Sequence, residues 1–340
     1  MEKRELHMRR IRIKWIAAIV SLAVISCSYD KPIGDNGDIP IDNPDTNVTV
    51  KKVEVPEFSA DSAYAYIEKQ VSFGPRVPNT PEHFNCANFL ISELQKFTDT
   101  LILQRANTLT WDNKTITMSN IIGVLSPEKN NRILLCAHWD TRPMADEDDS
   151  SQKEPILGAN DGASGVGVLL EIARQMSINR PDLGVDFIFF DAEDWGNPGI
   201  SNSFCLGSQH WANNPHDKHY RAKARYGICL DMVGKEGAIF AKEGTSMMHA
   251  RGVMNKVWKT GQNLGYSNFV NYIRGAIIDD HAYVSTDLGV PCIDIINYDV
   301  NTGGFGEFWH THDDNMSIIG KSTLKAVGQT VMEVVYNEKN

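Results

Sequence analysis

The sequence predicts an α/β fold: one domain with a mostly parallel central sheet flanked by helices on both faces, a three-layer sandwich. Three observations carry that expectation. Apolar runs of strand length alternate with stretches of helical periodicity along 340 residues. The strands read as continuous apolar segments, as strands covered on both faces do. Beyond residue 58 neither an internal repeat nor a shift in composition divides the chain, so 58–340 is read as a single domain.

The elements follow in order. Ser59 to Phe73 places Ala60, Ala63, Tyr64, Ile67 and Val71 at helical spacing behind a Ser/Asp cap, and Glu82 to Phe97 repeats the pattern. Strands are expected over Ile116 to Leu125, Ile133 to Ala137, Val185 to Phe190, Tyr226 to Leu230 and Cys292 to Ile296. Helices are expected near Gly162 to Met176, Phe204 to Ala212, His249 to Leu264 and Lys321 to Tyr336.

Ahead of the domain stand two other segments. Residues 1–26 carry Lys3, Arg4, Arg9, Arg10, Arg12 and Lys14 before an apolar run from Trp15 to Ser26. That run falls short of the roughly 20 apolar residues a spanning helix needs, and so reads as a secretory signal. Val24-Ile25-Ser26-Cys27 resembles a bacterial lipobox, which makes Cys27 the expected lipidated N-terminus and the protein an exported, membrane-anchored lipoprotein facing the periplasm or the outer membrane. Residues 27–57 are rich in Asp, Asn, Pro and Gly and read as an acidic flexible tether. With 33 basic against 43 acidic residues the formal charge is −10, and removing the basic leader makes the remainder more acidic still. Such a chain lacks the basic face a nucleic-acid binder needs, so no nucleic-acid partner is expected. Without Cys27, Cys86, Cys136, Cys205, Cys229 and Cys292 remain, in apolar settings typical of buried thiols; one disulfide is open and no spacing predicts it.

The chemistry-bearing residues fall just beyond strand ends. Ile133 to Ala137 runs into His138-Trp139-Asp140, Val185 to Phe190 into Asp191-Ala192-Glu193-Asp194, and Tyr226 to Leu230 into Asp231. Asp161 opens a helix, and a loop after Cys292 to Ile296 leads to His310. In open α/β sheets ligands bind outside the carboxyl ends of strands, so these segments are expected to converge. Carboxylates gathered that way repel one another unless a cation sits among them, and imidazole with carboxylate donors suits catalytic zinc. Taken singly, Asp161 is equally a helix cap, Asp231 a solvated strand end and His310 a loop histidine. Glu193 and Asp194 are neighbours whose side chains diverge on an extended backbone, leaving one for metal and one as a general acid or base. His210, His216 and His219 read as surface residues of a loop marked by Pro215. No G-x-S-x-G elbow and no H-E-x-x-H helix is present.

The order His138-x-Asp140, Asp161, Glu193-Asp194, Asp231 and His310 resembles that of zinc aminopeptidases and of the animal-type glutaminyl cyclases that share their fold. Phe305-Gly306-Glu307-Phe308-Trp309-His310 and Asp279-Asp280-His281 resemble the cyclase signatures, and Phe190 to Trp195 resembles bacterial members. The resemblance implies one zinc on Asp161, Asp194 and His310, with His138 and Asp231 as ligands of a second zinc if the chain is an aminopeptidase. It implies proton transfer by Glu193, a hydrogen-bond network joining Asp231 to Asp279, and a substrate pocket walled by Trp309, Phe305 and Trp195, with Gly303-Gly304 admitting close approach. Asp194 stands where the animal enzymes have Glu, and Asp294 where they have a network His, which leaves the proton pathway open. The implied reaction is conversion of an N-terminal Gln on exported peptides or proteins to pyroglutamate with loss of ammonia. The alternative is hydrolysis of the N-terminal peptide bond by a two-zinc aminopeptidase.

Overall fold

The computed structural model describes residues 54–299 and 302–339. The expected leader, Cys27 and the tether through residue 53 lie outside the described residues. Val55 packs against the core and the Phe58 ring is buried beside Gly328, so the C-terminal end of the expected tether belongs to the packed domain.

A six-stranded sheet organises the domain, in the order β1-β2-β4-β3-β5-β8. The strands are β1 (Thr100–Leu109), β2 (Thr115–Leu125), β3 (Arg132–His138), β4 (Gly184–Phe190), β5 (Ala224–Asp231) and β8 (Cys292–Ile296). β4, β3, β5 and β8 pair in parallel, while β2 runs antiparallel to both β1 and β4. Of the five expected strands, β3, β4, β5 and β8 are buried and parallel, while the fifth, β2, is antiparallel. β1 was not expected: it is an edge strand, half exposed along its length, and carries no continuous apolar run. A separate two-stranded sheet joins β6 (Phe240–Lys242) and β7 (Phe269–Ile273).

Side-chain alternation along the central strands feeds two cores at once. Ile133, Leu135 and Ala137 of β3, with Val185, Phe187 and Phe189 of β4, face the larger core. There they meet α1 (Ala60–Val71), α2 (Pro81–Phe97), α3 (Ala163–Ile178), α7 (Arg251–Asn263) and α9 (Lys321–Tyr336). Leu134 and Cys136, with Ile188 and Phe190, point the other way onto α4 (Leu206–Asn213), α5 (Tyr220–Lys223) and the π-turn Val284–Leu288. The short helices α6 (Gly244–His249) and α8 (Asp280–Tyr283) complete the chain.

Caps fix where the first helices begin. Ser59 accepts from Ser62 N at the start of α1, and Thr80 accepts from His83 N with Pro81 in the first turn of α2. Cys86, Cys136, Cys205, Cys229 and Cys292 are all free and buried. His216 departs from its expected place on the surface: its ring packs against Trp211 and Tyr220, and Trp211 Nε1 donates to its Nδ1 at 3.2 Å.

Candidate active site

β3 and β5 end on His138 and Asp231, and the loops after β4 and β8 bring Asp194 and His310 to the same end of the sheet. Asp161 lies between them. His138 Nε2 is 2.9 Å from Asp161 Oδ1 and 3.2 Å from Asp231 Oδ1, and His310 Nε2 is 3.3 Å from Asp194 Oδ1 and 4.0 Å from Asp161 Oδ2. Two donor triads thus share Asp161: His138, Asp161 and Asp231 on one side, and Asp161, Asp194 and His310 on the other, each with ligand atoms within 4.8 Å of one another.

Local structure holds these side chains in place. Asp161 does not cap α3, whose N-cap is Gly162 without any side-chain bond, so its carboxylate is free for the site. Gly162 is required there because a Cβ would stand 2.5 Å from both the His138 ring and its carbonyl oxygen. Asp314 accepts from Asn160 N at 2.7 Å and Asp161 N at 3.0 Å, and Asp140 accepts from Glu193 N at 3.0 Å and Asp194 N at 3.2 Å. Glu193 and Asp194 therefore diverge in a loop pinned by Asp140, rather than on an extended strand end. Asp146 lies 3.3 Å from His310 Nδ1, leaving Nε2 for the site, and Arg142 bridges Asp146 and Asp194.

The donor set fits zinc. It offers only imidazole nitrogen and carboxylate oxygen, it is buried, and Asp194 Oδ2 has no hydrogen-bond partner among the described residues. Charge crowding shows in the acidities. Burial, with Asp161 beside it, pushes the Asp231 carboxyl up to about 7. Burial and the Asp194, Asp279 and Asp280 carboxylates hold Glu193 well above the usual carboxylate range, against the pull of His138. Burial alone would lower His310, yet Asp194 and Asp146 push it up to about 9.

Behind Glu193 lies a second buried layer. Cys205 Sγ is 3.1 Å from Glu193 Oε1, and Asp279 caps α8 by accepting from Asp280 N. Asp279, His281 and Asp294 bring ligand atoms within 4.8 Å of one another; Asp279 acts on Asp231 through charge, while the side-chain hydrogen bond of Asp231 goes to His138 rather than, as expected, to Asp279. Burial and those neighbouring carboxylates hold the Asp294 carboxyl well above its ordinary value. His281 stands against this layer, 3.0 Å from Glu243 Oε1 and 3.9 Å from both Asp279 and Asp294. Sequence reasoning assigned no role to His281, Cys205, Glu243, Arg142 or Asp146; none follows a predicted strand, and no spacing marks them.

A cavity of about 480 Å³ opens over the Asp161, Asp194 and His310 triad. Trp309 stacks on His310 with ring centres 3.7 Å apart, and Phe305 lies 5.0 Å from Trp309. Both line the cavity as expected, joined by Ile277, Phe204 and Tyr283. Trp195 does not. The left-handed backbone at Ala192 (φ 54°) opens the loop after β4, and Trp195 packs with Val77, Ile116 and Met118 under Lys114. Gly303 and Gly304 have no close neighbour that a Cβ would strike; Asp299 N–H donates to the Gly304 carbonyl and Gly303 N–H to the Asp299 carbonyl, and the close approach is at Gly306, against the Phe308 ring.

Sheet, helical layers and strand-end donors define an α/β metalloenzyme of the zinc-exopeptidase architecture. A model of peptidase family M28 matches residues 120–335, and the chain belongs to that family. The glutaminyl-peptide cyclotransferase of Bos taurus is 25% identical over 277 residues, 73% of this chain and 74% of its own. A Bacteroides thetaiotaomicron glutaminyl cyclase structure is 50% identical with a TM-score of 0.81, covering 84% of this chain and 100% of the other. A Zn-dependent exopeptidase structure from Parabacteroides distasonis is 49% identical with a TM-score of 0.82, over the same shares of the two chains.

Proposed function

We infer that the protein is a zinc-dependent glutaminyl-peptide cyclotransferase, converting an N-terminal Gln to pyroglutamate with release of ammonia. One observation carries this reading: an aromatic wall stacked on the metal histidine closes a small pocket around a triad beside which Glu193 stands uncommitted. Zinc held by Asp161, Asp194 and His310 supplies a Lewis acid toward the side-chain amide carbonyl. Glu193 takes a proton from the α-amine as its nitrogen bonds to the amide carbon. The same carboxyl returns a proton to the departing nitrogen, which leaves as ammonia when its bond to that carbon breaks. The attack is intramolecular, so the Trp309 and Phe305 walls act by holding one folded rotamer of the Gln side chain. Asp279, with Asp294 behind it, borders Glu193 and raises its affinity for the proton in transit; Asp231 orients His138.

A second reading, a two-zinc aminopeptidase, draws on the His138, Asp161 and Asp231 triad. The two separate in one assay on a Gln-initiated peptide and Leu-p-nitroanilide. Ammonia loss from the first is expected; nitroaniline release without it would overturn the cyclase. Metal content near one per chain, rather than two, is the independent check.

The leader and Val24-Ile25-Ser26-Cys27 support export and membrane attachment through lipid on Cys27, and with them action on exported peptides that carry a free N-terminal Gln. Labelled palmitate should enter the wild type and not Cys27→Ala; equal labelling of both would refute the anchor.

A further inference from the structure

The pocket wall does not stop at Phe305. The Arg274 guanidinium lies over the Phe305 ring at 4.9 Å and over the Tyr298 ring at 4.7 Å. Tyr298 in turn stacks on Tyr272, with 5.6 Å between centres and 25° between planes. Contacts thus run in series from His310 through Trp309, Phe305 (tilted 47° to Trp309), Arg274 and the buried Tyr298 to Tyr272, which is 53% exposed on β7. Arg274, Tyr298 and Tyr272 lie outside the cavity that takes the N-terminal residue.

We propose that this track binds the peptide segment following the N-terminal Gln, and that it makes the enzyme favour an aromatic side chain two to four positions downstream. The proposal rests on the cyclase reading, because only a substrate whose first residue fills the pocket has its chain leave along this wall. Ile278, 73% exposed, borders the mouth and adds apolar surface there. Among the described residues the Arg274 side chain forms no ion pair, and the one hydrogen bond of its guanidinium is a long one, 3.4 Å to the Asn297 carbonyl. Clamped between two rings, it presents its remaining N–H groups to peptide carbonyls, and the open side of the half-exposed Tyr272 is left for a substrate ring. The four steps from Trp309 to Tyr272, each of 4.7 to 5.6 Å, reach no further than about six extended residues. That sets the span of sequence that the track can read.

The test is ammonia release by the full-length protein from Gln-Ala amide, Gln-Ala-Ala-Ala-Ala and Gln-Ala-Phe-Ala-Ala, for wild type, Tyr272→Ala and Tyr272→Phe. In the wild type the Phe pentapeptide should exceed the Ala pentapeptide by roughly three- to tenfold in kcat/KM, carried by KM. Tyr272→Ala should erase that advantage and Tyr272→Phe retain it, while the dipeptide amide, too short to reach Tyr272, is turned over alike by all three. Equal kcat/KM for the two pentapeptides in the wild type overturns the proposal, as does a loss on the dipeptide amide matching the loss on the Phe peptide. Ammonia from none of the substrates refutes the cyclase reading, and the track proposal falls with it; ammonia from the dipeptide amide with no benefit from Phe refutes the track alone.

Discussion

Glu193 and Asp194 are one residue apart and are asked to do different things. Asp194 is tied to His310 and Arg142, whereas among the described residues the only side chain bonded to Glu193 is the weak donor Cys205. Glu193→Gln should therefore lower kcat by roughly 10²- to 10⁴-fold while zinc content stays at the wild-type level; loss of zinc from the purified variant would mean the two roles are exchanged. His281 gives a pH prediction. Burial alone would lower its pKa, but Asp279 and Glu243 push it up to about 9. Because the folded value is raised, the contribution to stability is complete below about pH 6.5 and is lost as pH climbs through 9. Glu243→Gln should thus melt lower than wild type at pH 6, with the gap narrowing by pH 9.5; a gap independent of pH would remove His281 from the account. The five candidate ligands were legible in the sequence because each follows a strand end or opens a helix. Trp195 was misplaced because a left-handed turn at Ala192 reverses its direction, and neither composition nor period announces such a turn.

At the level of elements, α3 and β3 approach so closely that the junction at Gly162 admits no side chain. Gly162→Ala must displace the His138 ring or the Asp161 backbone, which carries the carboxylate common to both triads. Zinc affinity should drop by at least tenfold in competition with a chelator, with the far-ultraviolet circular dichroism unchanged; wild-type affinity would show that the junction yields. The helices and buried strands were readable because their apolar residues keep a period. β1 and β7 were not, since both are partly exposed and take their place through pairing with β2 and β6. α8 is one turn long, too short to show a period, and its Asp279 cap was recognisable only through the family resemblance.

For the molecule as a whole, the question is where the catalytic body begins. Phe58 is 2% exposed, its backbone N–H donates to Gln329 Oε1 at 2.8 Å, and Gln329 Nε2 donates to the Pro56 carbonyl at 3.1 Å. A chain starting at residue 52 should keep the full melting temperature and turnover. One starting at residue 60 removes a buried ring from the α1, α3 and α9 contact and should lose about 3 kcal/mol of stability, measured by urea unfolding. Equal midpoints for the two chains would mean that α1 holds without the segment before it. The overall architecture was legible because one sheet buried on both faces dictates alternating apolar segments. The cavity was not, because its walls come from loops such as 197–204 and 276–278, whose paths depend on contacts far away in sequence.

The five free thiols among the described residues give the fold a reporter of its own opening. None is more than 1% exposed, and Cys136, Cys229 and Cys292 lie on the neighbouring strands β3, β5 and β8. A thiol reagent can reach those three only when the middle of the sheet parts, so labelling rates measure the frequency of that event and not the reactivity of sulfur. If the three become modified together, the centre of the sheet opens as one cooperative unit; in an oxidising compartment the same event would limit how long the cysteines stay reduced.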